Sequence, residues 1–136
     1  MNKRNAGKVM TDRVRSCMKE AVTGYSKDLR DTVRDLISVP VTYVGGEAIR
    51  SEPGESPYKE FGDLWKSIKY RVKELKNSFE SSVFSDSIIS LFLEEGTQYI
   101  EPRPHWAVAM KMVGDPQKEV KRRFTKCMNQ KNKKRR

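Results

Sequence analysis

Apolar residues in the first part of the chain fall into one stripe. Val14, Met18, Ala21, Val22, Tyr25, Leu29, Val33, Leu36 and Ile37 recur mainly at three- and four-residue steps, with charged and polar residues between them. This is one face of a long amphipathic helix over residues 12–38. Thr11 supplies an N-cap, and Asp12 puts a negative charge where the helix dipole favours one. At 1.5 Å per residue the rod is about 40 Å long, so part of it is free to pack against something other than its own chain. Pro40 ends it.

The pattern then changes. Residues 39–62 carry four glycines and three prolines. Val41, Tyr43 and Val44 suit a short strand, and the stretch of about 45–61 reads as an extended, mobile loop. "GDLWKSI", residues 62–68, gives about one helical turn with Leu64 and Trp65 to bury. Ile68, Tyr70 and Val72 alternate with Lys69, Arg71 and Lys73, and Phe79, Ser81 and Val83 alternate less cleanly. With "KN" between the runs, this predicts a β-hairpin with one buried face.

A short helix over about 86–95 follows, its Leu91, Phe92 and Leu93 preceding Gly96, a glycine stop. Pro102 and Pro104 bar a helix before about residue 104. Residues 105–130 form the last helical region, broken at "VGDP", where Asp115 caps a fresh start with Pro116 at its first position. The fold class is α+β: a long N-terminal helix, a small antiparallel sheet built on a β-hairpin, and a short helix and a C-terminal helix packed on the sheet. Residues 1–128 make a single domain, and 129–136 a basic, flexible tail. There is no internal repeat.

Composition narrows the class. The chain has 136 residues, 36% hydrophobic and 34% charged, which suits a polar globular domain rather than a disordered one. No apolar run approaches the roughly 20 residues that span a bilayer, so no membrane partner is expected, and "MNKRNAGK" does not lead into a signal peptide. The net charge of +10 is uneven: residues 118–136 hold ten basic residues and one acid, Glu119, leaving the body near neutral. Cys17 and Cys127 are read as reduced packing residues of a cytoplasmic protein rather than as a disulfide.

Little chemistry is signalled. His105, the single histidine, sits in Pro-His-Trp and reads as a packing or capping residue. No cysteine lies near it in sequence, so neither a Cys-His nucleophile nor a zinc site of the usual spacing is indicated. Glu94 and Glu95 are adjacent, diverge by about 100° on a helix, and read as an exposed helix end. No glycine pattern stands between strand and helix as a phosphate cradle. The expectation is no enzyme, no catalytic residue, no cofactor and no metal. Of the basic end, Lys131, Lys133, Lys134, Arg135 and Arg136 are candidate electrostatic contacts to an acidic protein face or, non-specifically, to DNA.

Two stretches together resemble a known family. "PGESPYKEFGDLWKSI" contains Pro53, Gly54, Pro57, Gly62, Leu64, Ser67 and Ile68 in the order Pro-Gly-x-x-Pro, then Gly-x-Leu-x-x-Ser-Ile. "LEEGTQYIEPRPHW" contains Leu93, Glu94, Gly96, Thr97, Pro102, Arg103, Pro104 and, displaced by one, Trp106. Both are similar to signatures of the head–tail joining proteins of tailed bacteriophages, also called neck, tail-completion or minor tail proteins. The family usually has an aromatic where this chain has Glu95, a Thr-Gly where it has Phe61-Gly62, and an aromatic at His105.

The resemblance implies a structural virion protein. Such a protein is a homo-oligomeric ring subunit, commonly of sixfold symmetry, in the connector between head and tail. Its partners would be copies of itself, portal-side head-completion proteins and tail-terminator or tail-tube proteins, around the channel that DNA crosses. It would be found at the head–tail junction of the virion, and in the host cytoplasm during assembly. A stand-alone basic nucleic-acid-binding protein is the alternative.

Overall fold

A computed structural model describes residues 3–59 and 62–133. The expected α+β class is what it shows. In chain order the elements are α1 (Lys3–Leu36), β1 (Thr42–Val44), β2 (Glu47–Ile49), α2 (Asp63–Ser67), β3 (Ile68–Glu74), β4 (Phe79–Ser85), α3 (Ile88–Glu95), α4 (Trp106–Val113) and α5 (Pro116–Lys133). No described helix is long and apolar enough to cross a membrane.

Helix α1 organises the rest. Its Tyr25, Leu29 and Val33, with Ile37 just past its end, are spaced by four and buried with Ile68 of β3 and Ala109 of α4. Leu36, Leu64, Trp65, Val83, Trp106, Val113 and Val120 complete this core from the flanks. The helix begins at Lys3, so Thr11 lies inside it and is not its cap. Residues 3–10 contain Lys, Arg, Ala and Met, good helix formers that continue the rod without an apolar stripe. Its 34 residues span about 51 Å.

Strands β3 and β4 form the expected antiparallel hairpin, with Tyr70 opposite Val83 and Val72 opposite Ser81. The segment after Pro40 is more structured than a single strand. Strands β1 and β2 make a second hairpin, turned at Gly45 and Gly46 with φ of 60° and 84°. Both central residues of the turn have positive φ, a geometry that suits the strand twist and that glycine adopts without strain. The segment's far end returns to its start, where Lys59 N–H donates to Val39 O (2.6 Å) and Val41 N–H to Lys59 O (3.0 Å). Among the described residues the strands therefore form two separate two-stranded sheets rather than one.

The break at "VGDP" falls where expected. Lys118 N–H donates to the Asp115 carboxylate (3.0 Å), and Pro116 opens α5. Tyr25 Oη donates to Gly114 O (3.0 Å), which fixes the break to the middle of α1. Helix α5 then runs antiparallel to α1: Arg123 pairs with Asp28, and further along Arg13 donates to Met128 O (2.8 Å). Residues 129–133, expected as a free tail, continue α5 as helix. The Lys131 and Lys133 side chains, and all of Lys134, Arg135 and Arg136, lie outside what is described.

One expectation is overturned here. Cys17 and Cys127 are not separate packing thiols but a disulfide between α1 and α5, with Cα atoms 5.6 Å apart. The antiparallel pairing of the two helices sets the residues face to face. A sequence separation of 110 gives no hint of this.

Candidate functional site

The two stretches that carry the family resemblance are far apart in sequence and meet in one junction. Gly54 N–H donates to Pro102 O (2.9 Å), and Ser56 Oγ donates to Pro104 O (2.8 Å). The Arg103 guanidinium holds the loop before Pro53, donating from Nε and Nη2 to Ser51 O (3.2 and 3.1 Å) and from Nε to Ser51 Oγ (3.1 Å). Ser51 and Pro57 are buried, so the loop is seated rather than merely touching. A cleft of about 390 Å³ runs between them, walled by Pro57 and Leu64 on one side and Ile89, Leu93 and Arg103 on the other.

The reversal after α3 is set by Gly96. Its φ of 78° and ψ of 171° lie in a region that only glycine adopts readily. Space imposes the same choice, since a Cβ there would lie 2.9 Å from both Ile100 O and Pro102 Cδ. Thr97 completes the turn: its Oγ1 accepts from the N–H groups of Tyr99 and Ile100 (both 3.1 Å), and its own N–H donates to Ile100 O (2.8 Å). Arg103 N–H then returns to Leu93 O (2.6 Å), locking the extended segment onto α3.

Glu94 closes the corner. Its Oε2 accepts from His105 N–H (2.7 Å) and Trp106 N–H (2.9 Å), and its Oε1 from Ala107 N–H (2.9 Å). It thus caps α4 from the end of α3, meeting orphan donors that no local residue satisfies. Burial would raise the carboxyl, but the three backbone donors, with His105 beside it, outweigh this and hold it below the usual carboxylate range. The exposed helix end read from Glu94 is therefore corrected: this carboxylate is engaged by three backbone groups. Glu95, its neighbour, is exposed.

Behind Glu94 lies a buried polar chain. Trp106 Nε1–H donates to Ser90 Oγ (2.8 Å), which lies 2.8 Å from His105 Nε2. His105 Nδ1 faces Arg103 O and Glu94 Oε2, both at 3.2 Å. Two acceptors at Nδ1 place the proton there, leaving Nε2 to accept from Ser90. Desolvation lowers the imidazole pKa more than Arg103 O and Glu94 raise it, so the ring stays neutral. Ser90, His105 and Glu94 have the connectivity of a hydrolytic triad. Yet Ser90 is 2% and His105 0% exposed, and Trp106 already donates to the serine oxygen. As folded, no substrate carbonyl reaches that oxygen.

The remaining motif residues support this junction. Gly62 N-caps α2, Leu64 and Trp106 flank the core, and Ile68 is fully buried within it. Ser67 Oγ donates to Leu64 O (2.6 Å) and meets Ser85 Oγ at 2.7 Å, tying α2 to the hairpin. Pro53 lies exposed on the loop. Ser51 and Ser90 were missed by sequence reasoning, because a serine carries no sign of its partner 52 or 16 residues away.

What the corner presents is an apolar face. On α3, Ile88, Ile89 and Leu91 are 63%, 51% and 52% exposed, and Phe92, Tyr99 and Ile100 continue the surface. On the opposite character, Lys118, Lys121, Arg122 and Lys126 line an open face of α5. The chain matches no family model, no curated protein and no solved structure.

Proposed function

We propose that this chain is a structural subunit of the head–tail connector of a tailed bacteriophage, closing a ring with copies of itself around the DNA channel. One observation carries the reading beyond the resemblance. The two signature stretches assemble a single rigid corner, through Gly96, Glu94 and Arg103, whose outward product is the exposed apolar face of α3. A subunit in a closed ring needs an interface held at a set angle, because a head-to-tail contact closes only when its rotation is right. The exposed cluster of Ile88, Ile89 and Leu91 supports an interface there.

The test is electron cryomicroscopy of virions made from the genome that encodes the chain. A layer at the head–tail junction, built of this fold, is expected. Ile88→Asp should leave the melting temperature near wild type, since the residue is exposed and lies outside the cleft, while removing the layer. Virions that lack the chain altogether would overturn the reading. A stand-alone nucleic-acid-binding protein is the second reading, favoured by the open basic face of α5. It requires that Lys121→Glu with Lys126→Glu abolish binding to duplex DNA by a monomer.

A further inference from the structure

We infer that Cys17, Glu20 and Cys127 form a binding site for a thiophilic divalent cation, zinc being the type, when the disulfide is open. This stands independently of the connector reading. Cys17 and Glu20 are three residues apart on α1 and share a face, and Cys127 meets them from α5. Their ligand atoms all lie within 4.8 Å of one another. Two buried sulfurs and one exposed carboxylate give a site closed on the protein side and open to solvent on the other.

A second observation points to the open state of the disulfide. Glu20 Oε2 lies 3.0 Å from Cys127 Sγ. A disulfide sulfur carries no proton, so in the oxidised chain this carboxylate faces sulfur lone pairs with nothing between them. Both other states of the sulfur remove the conflict: a thiol would donate to the carboxylate, and a metal ion would bind both. Glu20 is thus placed for the open state, not for the disulfide.

Two equivalents of a low-molecular-weight thiol reduce the disulfide to two protein thiols and are themselves oxidised to one disulfide. The cation then displaces one proton from each protein thiol and takes the Glu20 carboxylate as third ligand, with water as the fourth. Metal–sulfur bonds of about 2.3 Å in tetrahedral geometry put the sulfurs about 3.8 Å apart. Side-chain rotation supplies that separation from Cα atoms 5.6 Å apart without moving either helix. Thiolates favour zinc over magnesium or calcium.

The experiment titrates the full chain, reduced with a phosphine, with Co(II) and then Zn(II). One equivalent of cobalt should give thiolate charge-transfer bands and the visible bands of a tetrahedral ion, both lost when zinc displaces it. Cys127→Ser should abolish the charge-transfer bands at stoichiometric metal. Glu20→Gln, at an exposed position, should keep the fold and weaken cobalt binding by about tenfold or more. The unreduced chain should bind neither metal. The proposal is overturned by a reduced, helical chain without those bands, by equal affinity in Glu20→Gln, by equal binding to the oxidised chain, or by loss of helical circular dichroism on reduction.

Discussion

At Gly96 backbone conformation and crowding act together, so substitution there is doubly opposed. Gly96→Val should destabilise the chain by about 1–3 kcal/mol, read from denaturant unfolding; an unchanged midpoint would show that the corner tolerates a side chain. Glu94 and His105 set the pH response. Both titrate below their ordinary values, near 4.5 and 6.5, so the unfolded chain binds more protons in the window beneath each. Stability is full above about pH 6.5, falls first as His105 is forced to charge, and falls again below about pH 4.5 as Glu94 protonates. His105→Gln should flatten the first step in melting temperature against pH and leave the second. Gly96, Pro102 and Pro104 were legible in the chain because glycine and proline act on their own backbone. Glu94 was not, because its partners lie 11 to 13 residues away, across a turn whose closure no local pattern specifies.

At the scale of elements, α4 depends on a cap supplied by another helix. Glu94→Ala leaves the N–H groups of His105, Trp106 and Ala107, at the start of α4, without that acceptor and should cost about 1–2 kcal/mol, with helical content falling before the β3–β4 hairpin melts. A uniform, cooperative loss by both probes would show that α4 is not separately held. Most elements announce themselves through periodicity: the four-residue stripe of α1, the alternation of β3, and Asp115-Pro116 at the head of α5. The misreadings have different causes. The start of α1 has no apolar stripe to mark it, and the disulfide depends on how α1 and α5 cross, which is a tertiary fact. The β1–β2 hairpin was half visible, since Gly45-Gly46 is a strong turn signal but the strands on either side are only three residues long.

For the whole molecule, charge is concentrated toward one end of the sequence, residues 118–136. Removing residues 129–136 spares Cys127 and the α1–α5 contacts named above. The truncated chain should therefore keep its melting temperature and, on the connector reading proposed above, incorporate poorly into particles, most visibly at raised salt, where screening weakens the remaining basic contacts. Full incorporation at every ionic strength, or loss of the fold, would refute this. The pairing of α1 with α5 also bears on synthesis. Cys17 and Cys127 are separated by 110 residues, which a ribosome making 5–20 residues per second takes roughly 5–20 s to add. Throughout that interval the α5-facing side of α1 has been translated and its cover has not. A chaperone or a transient contact with another nascent chain would compete for that face during translation, and the competition would end only when α5 leaves the exit tunnel.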